Sequence, residues 1–439
     1  MQEKIDTVDT VDIQTQNTDL NNLPLAEPVQ MQERIEVLDV IRGFALLGIL
    51  IANMAAFNSP FLYLEMLGKN MWTDIWDTTT SAFINLLIQG KFYSMFSFLF
   101  GLGFVIFFER AKAKTITPKL LFYKRLFILL LIGLAHAFFI WFGDILVTYA
   151  LLGFLLPLFF NRKPKTILIW SASLFIGFII LLTLSMALMS IVETIEGGTD
   201  IKQHIQQMLT GMEGMIASSF HAYGQGTFAE IMTQRASDVL LVYDQLFAAP
   251  FTIFPLFLLG LYAGKKAIFQ NIEENLTLIK KVWFWGLVIG LPMSVVKFIS
   301  KNLMSGDHTS FYNVLHIGTG FFADTGLCLF IMTSFVLLYQ NRKWILRFTP
   351  LAYMGRMPLS NYLFQSLVCT TIFYSYGFGF YGKVGPALGL VLTVVIFTIQ
   401  IFISKYWLSR YQFGPMEWLW KSLTYGKLFR MKLPITQEK

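Results

Sequence analysis

The sequence predicts an all-α fold, a polytopic transmembrane helical bundle of about ten spans with both ends in the cytoplasm. Three observations carry that expectation. The 439 residues are 55% hydrophobic and only 14% charged, with a mean hydropathy of +0.58, whereas a soluble domain carries about 25% charged residues. The apolar residues come in unalternating runs, such as 126–142 and 167–191, near the roughly 20 residues that cross a bilayer. Within lipid a helix satisfies its own backbone, and barrel strands would be short and alternating. Finally, the basic residues fall on alternate sides of these runs.

In chain order, residues 1–34 are rich in Thr, Asp, Gln and Asn and lack the apolar content to fold alone, so they read as a disordered cytoplasmic tail. About 36 mostly polar residues precede the first apolar run, too many for a signal n-region, so that run is expected to stay as an uncleaved anchor. Spans are expected at about 38–58, 92–109, 121–142, 145–161 and 166–192, forming an N-terminal five-span half over 35–192. Residues 72–88 are apolar but broken by Asp74, Asp77 and three threonines, which suggests an interfacial helix. Residues 193–248 form a hydrophilic extracytoplasmic insert with amphipathic stretches near 201–220 and 228–247. A second five-span half follows over 249–428, with spans near 249–269, 281–299, 312–339, 348–375 and 385–404, and then a cytoplasmic tail at 429–439.

Under this alternation 27 of the 34 Lys and Arg residues fall on the inner side, as the positive-inside rule requires. The net charge of +7 therefore reports topology, and no nucleic-acid partner is called for. Cys328 and Cys369 stand singly in apolar stretches and offer neither a disulfide framework nor a metal spacing.

An ionisable residue at membrane depth costs about 2.5–3.5 kcal/mol on insertion scales, so four groups ask for a reason. In Leu38-Asp39-Val40-Ile41-Arg42-Gly43, Asp39 and Arg42 are three apart and share a helix face; Asn53 lies on that face about three turns deeper. Dipole complementation by Asp39 and snorkelling of Arg42 are the plainer reading. In the second group, His136 precedes Asp144 by eight residues. A histidine near a carboxylate can act as a general base; alternatively His136 hydrogen-bonds a neighbouring helix and Asp144 caps the next one. The third group holds His316 near the outer end of its span and Asp324 near the middle, where a carboxylate is protonated, paired or wet. In the fourth, Asn361 and Gln365 are four apart and suit interhelical hydrogen bonds. Arg356, near the cytoplasmic end, either anchors its span or joins Arg42 in a pocket for a phosphate-bearing ligand.

No phosphate-cradling Gly-x-x-x-x-Gly-Lys-[Ser/Thr] loop occurs, nor a His-Glu-x-x-His run, nor a Gly-x-Ser-x-Gly elbow. Built-in P-loop ATPase, zinc-protease and serine-hydrolase chemistry of the usual patterns is therefore unsupported.

These motifs resemble a bacterial YeiB-type membrane family named for a domain of unknown function. The resemblance runs from about residue 35 to 428. It rests on Leu38 to Gly43, on Lys124-Arg125 with Gly133-Leu134-Ala135-His136, and on Gly143-Asp144-Ile145-Leu146-Val147-Thr148-Tyr149-Ala150. Two C-terminal blocks complete it: Gly355-Arg356-Met357 with Asn361-Tyr362-Leu363-Phe364-Gln365-Ser366, and Gly414-Pro415-Met416-Glu417-Trp418-Leu419-Trp420 with Leu423-Thr424-Tyr425-Gly426. The first half is similar to a wider group of transmembrane acyltransferases, which includes the lysosomal heparan-sulfate acetyltransferase and enzymes that decorate surface polysaccharides. That similarity implies a multi-pass protein of the bacterial plasma membrane, in contact with lipids. It also implies acyl transfer from cytosolic acyl-CoA, a co-substrate rather than a resident cofactor, to an extracytoplasmic glycan or lipid acceptor. In the polysaccharide branch an Arg on the first helix is followed after ten residues by a His; Arg42 aligns with that Arg, but Asn53 stands in the His position and cannot act as a base. His136 is then the expected replacement base, oriented by Asp144, with Arg42 and Arg356 gripping the coenzyme A phosphates. The competing expectation is a transporter or lipid-handling protein that uses His316, Asp324, Asn361 and Gln365 as a substrate or proton pathway, alongside Asp39 and Asn53. The sequence leaves open whether the bundle forms a homo-oligomer.

Overall fold

A computed structural model describes residues 34–114, 117–195, 199–304 and 310–433. Apart from Arg34, the expected tail over 1–34 lies outside these residues, as does the end of the C-terminal tail. Among the described residues the elements are helices, with one isolated antiparallel bridge between Tyr411 and Lys432.

The first helix, α1 (Glu36–Asn58), is the inner wall of the bundle. Of its apolar window 56% is buried, against 17% for α12 (Leu276–Met304), which faces outward. One side of α1 supplies Val37, Ile41 and Ala45 to one hydrophobic cluster, and another supplies Leu46, Leu50 and Phe57 to a second. Short α2 (Phe61–Met66) follows. Next, α3 (Ile75–Leu87) and α4 (Lys91–Lys114) form one apolar stretch, Ile75–Ala113, interrupted at Gly90, whose φ is +92°. The interfacial helix expected at 72–88 is α3, which runs on into α4 as part of this stretch. Its acids, which argued against insertion, are used locally: Asp74 caps α3 by accepting from the Trp76 and Asp77 amides, and Asp77 accepts from the Ala387 amide at 2.8 Å.

The chain continues through α5 (Pro118–Phe139), α6 (Leu146–Gly153) and α7 (Pro164–Ile195). The insert is helical, as α8 (Thr199–Gly224) and α9 (Phe228–Asp244). Then come α10 (Ala249–Thr252), α11 (Phe254–Lys265), α12, α13 (Phe311–Leu338), α14 (Arg342–Arg356), α15 (Pro358–Phe373), α16 (Pro386–Leu408) and α17 (Pro415–Tyr425).

Seven of the described helices or joined helices are long and apolar enough to cross a membrane, and an eighth if the bent pair over 228–265 counts as one. The protein is a multi-pass helical membrane protein. The expected count of ten differs at proline positions. The span expected at 145–161 is a shorter apolar piece, Leu146–Leu158, that ends in a 3-10 turn containing Pro157. The span expected at 348–375 is divided into α14 and α15 at Met357, which has φ −133° and ψ 57°. Pro358 lacks the amide proton and disfavours helical geometry in the residue before it.

Two glycines set the close crossing of α1 and α14. A Cβ on Gly43 would overlap the Leu351 carbonyl, and one on Gly355 would overlap the Asp39 carbonyl. Hence α1 and α14 touch backbone to backbone, and Arg42 and Arg356 arrive beside one another at the α1 N-terminal end.

Candidate active site

After α5 the chain reverses over residues 140–145, and Gly133 lets the start of α6 approach closely. The reversal brings Asp144 against His136. The His136 Nδ1 lies 2.7 Å from Asp144 Oδ2, and Asp144 Oδ1 accepts from the Val147 amide at 2.8 Å. One carboxylate therefore meets both expectations for Asp144, the histidine partner and the helix cap. Both side chains are buried. A carboxylate at Nδ1 favours the tautomer protonated there, leaving the lone pair on Nε2. That nitrogen is buried and has no hydrogen-bond partner among the described residues. The Tyr362 ring is 5.2 Å from the imidazole, and its hydroxyl donates to the Gly143 carbonyl at 3.2 Å.

A cavity of about 910 Å³ enters the bundle at the α1 N-terminal end. Seven basic side chains border it against three acidic ones. The basic set is Arg34, Arg42, Arg110, Arg125, Lys265 and Arg356, with Lys421. Deeper, the walls become apolar through Leu46, Ile49, Phe96, Leu99 and Phe100. From Leu38 to Ile49, both in the lining, is eleven helical positions, roughly 16 Å along the axis. The far wall includes Tyr362, Ile145 and Leu146, so the cavity stops one side chain short of the His136–Asp144 pair.

Arg42 holds Asp39 at 2.6 Å, and Arg34 stands 4.0 Å from the same carboxylate. Asn53 is half-buried and is not part of the lining, which α1 supplies only as far as Ile49. Asn361 and Gln365 are buried in an interhelical amide network. Asn361 donates to the Met354 carbonyl at 3.1 Å and accepts from Ser404, while Gln365 donates to Gln400 at 3.0 Å.

Asp324 and His316 lie elsewhere, each against Lys297. Asp324 sits against Gly90, 2.7 Å from Lys297 Nζ and 3.1 Å from Lys91 Nζ. The His316 Nδ1 is 3.1 Å from the Lys297 carbonyl. His316, Lys297 and Lys301 line a separate polar pocket of about 190 Å³ that also holds Glu65, 2.5 Å from Lys301. Lys91 and Lys297, which share Asp324, carry no motif and come from different helices, so sequence spacing gave no signal for them.

Reading by motif also missed what the C-terminal blocks do for each other. Glu417 of α17 accepts from the Leu359 amide at 2.7 Å, the Ser360 amide at 3.1 Å and the Ser360 hydroxyl. It caps the start of α15 just past the Met357 break, where a carboxylate complements the helix dipole. Burial pushes the Glu417 carboxyl above its ordinary range, and the Ser360 and Leu359 bonds pull it back. On the same helix, Trp420 stacks on Arg125, whose Cζ is 3.8 Å from the ring. Among the described residues no three His, Cys, Asp or Glu side chains cluster as a metal site.

The model of a protein family of unknown function, DUF418, matches residues 263–427, from the end of α11 through α17. Over 415 residues the chain is 40% identical to the uncharacterized protein YxaH of Bacillus subtilis (strain 168), covering 91% of this chain and 96% of that one. It is 26% identical to an uncharacterized 39.9 kDa protein in the amylase 3′ region of Bacillus acidopullulyticus, over 93% and 98% of the two chains. With the uncharacterized protein YeiB of Escherichia coli (strain K12) it shares 27% identity, over 89% and 96%. No solved structure matches the chain. With this similarity running nearly end to end, the chain belongs to the YeiB-like DUF418 family of membrane proteins.

Proposed function

We propose that this protein is a transmembrane acyltransferase that takes an acyl group from cytosolic acyl-CoA and delivers it to an acceptor hydroxyl on the far side of the bacterial plasma membrane. In this reading the α1 N-terminal end faces the cytoplasm, in line with the distribution of basic residues. The observation that carries it is the union of three features in one axis: a cationic mouth, an apolar shaft and a histidine–carboxylate pair beyond its blind end. A polyanionic head with a long, weakly polar arm is the ligand shape that such a cavity suits. Arginine forks such as those of Arg42 and Arg356 match phosphate oxygens.

The chemistry assigned to the pair is general-base catalysis. The acceptor oxygen attacks the thioester carbon while its proton passes to His136 Nε2. Asp144 holds Nδ1–H and stabilises the imidazolium. As the carbon–sulfur bond breaks, the departing sulfur takes the proton back, so the products are the ester and the free coenzyme A thiol. Tyr362, between shaft and imidazole, must shift its ring for the two to meet.

The test is thermal stabilisation of the purified protein by acetyl-CoA or a long-chain acyl-CoA, because a ligand selective for the folded state raises its melting temperature. A concentration-dependent rise that needs Arg42 and Arg356 is expected; no rise with any acyl-CoA removes the proposal.

A transporter is the second reading, favoured by the Lys91–Asp324–Lys297 triad beside a polar pocket. A carboxylate shared by two lysines at membrane depth is a common form of ion or proton relay. Its signature would be pH-dependent uptake into vesicles that is lost with Asp324→Asn.

A further inference from the structure

Helix α9, which packs against α5 and lines no part of the large cavity, carries an unusual residue. Arg235 is fully buried. Its Nη1 reaches only the Met232 sulfur, at 3.8 Å, and neither Nε nor Nη2 has a hydrogen-bond partner among the described residues. Those two nitrogens form one edge of the guanidinium, the edge whose parallel N–H bonds take a carboxylate or phosphate side-on.

Asp238, one turn along α9, does not use that edge. Its oxygens are already held by the Tyr63 hydroxyl at 2.6 Å, the Tyr223 hydroxyl at 2.5 Å and the Gln234 amide at 2.9 Å. The arginine charge is thus buried next to an acid that neutral donors satisfy. A buried guanidinium with an open fork is costly unless something anionic meets it.

Arg235 is also not alone. Its Cζ lies 5.8 Å from the Tyr374 ring, which stacks on Tyr223 at 4.4 Å. Phe142 links Tyr223 to Trp141, and the Trp141 ring is 6.4 Å from that of His136. Along this run the Tyr374 hydroxyl and the Trp141 indole N–H are, like the His136 Nε2, buried and without partners among the described residues. The layer therefore offers the His136 lone pair, an N–H from Trp141, a hydroxyl from Tyr374 and a cationic fork.

We propose that this layer is the acceptor subsite, and that Arg235 binds an oxyanion, phosphate or carboxylate, of the acceptor. The role of the acceptor rests on the acyl-transfer reading; the anion site rests on Arg235 itself. Trp141 and Tyr374 supply further donors. Arg235 is a binding residue in this scheme and takes no part in proton transfer.

The test uses the purified full-length protein in detergent and follows its melting temperature with three probes: inorganic phosphate, glycerol 3-phosphate, and mixed micelles containing phosphatidylglycerol. Wild type is expected to show a saturable rise with at least one, and Arg235→Gln to weaken that binding about tenfold or more, the usual effect of losing a charge-assisted bidentate contact. Arg235→Lys, which keeps the charge but not the fork, should also lose most of the response. A response to glycerol 3-phosphate identifies a soluble acceptor group, and a response to phosphatidylglycerol alone identifies a lipid headgroup. Without ligand both variants should still fold, because the Nε and Nη2 edge of the fork makes no internal hydrogen bond to lose. Equal responses in wild type and Arg235→Gln, no response in wild type, or failure of both variants to fold would each overturn the proposal. Acyl-CoA stabilisation, measured in parallel, separates the two ideas: Arg235-dependent anion binding without any acyl-CoA response keeps this subsite and removes the acyl-transfer reading.

Discussion

At the α1 N-terminal end, basic side chains border an open cavity, with Arg34 and Arg42 about a quarter exposed. Toward the other end, Lys91 and Arg235 are completely enclosed, one against a carboxylate and one among aromatic rings. Both regions are rich in positive charge, yet water treats them differently. Cations at an open rim keep much of their hydration and cost little, so they can be kept for a ligand. Enclosed cations have paid the desolvation cost already, and each needs a specific partner. The positive-inside pattern describes the first kind alone. Of the 7 basic residues on the outer side of the expected topology, Lys91, Arg235 and Lys297 are interior groups and report architecture instead of orientation.

The sharpest break of this comparison would come at the dyad between the two regions. His136→Ala should lower transfer from acyl-CoA by about 10²–10⁴-fold, the usual worth of a general base, while acyl-CoA still raises the melting temperature. Full activity in that variant would take the chemistry away from this site. Next in size, Asp324→Asn leaves Lys91 and Lys297 facing each other unpaired, and should cost about 3–5 kcal/mol in denaturation. Added salt should leave that loss unchanged, because enclosed charges are poorly screened. Arg42→Gln or Arg356→Gln should weaken acyl-CoA binding by about tenfold each, equivalent to about 1.4 kcal/mol. Here high salt should shrink the difference between variant and wild type, and a salt-independent effect would place these arginines with the enclosed class. Smallest of all, Glu417→Gln keeps an acceptor for the Leu359 and Ser360 amides but loses the charge, costing about 0.5–1 kcal/mol of stability.

Much of the fold was legible because the signals were local. Length and hydropathy marked α1, α5, α7, α12, α13 and α16, and the amphipathic stretches near 201–220 and 228–247 lie within α8 and α9. What the sequence overstated was continuity. The reading of 348–375 as one span passed over Pro358, where the helix divides. At the candidate site, His136 and Asp144 were legible as a pair because they are eight residues apart and separated by a chain reversal. Lys91, Lys297 and Asp324 were not, since their meeting depends on the packing of three helices. Arg235 and Asp238 were hidden for another reason: in a hydrophilic insert, charged residues carry no surprise, and only burial distinguishes them.

The break at Met357 and Pro358 gives the C-terminal helix an outsized role. Since α15 starts against a carboxylate from α17, the latch that holds the break closed is located some sixty residues downstream, at Glu417. Clipping the chain ahead of Gly414 would free that latch and release Arg356, one residue before the break, from its register with Arg42. The tail of this protein is thus part of how the arginines at the cavity mouth are aimed, and tags or fusions there should be joined beyond Gly426, where the helix already ends in a left-handed turn.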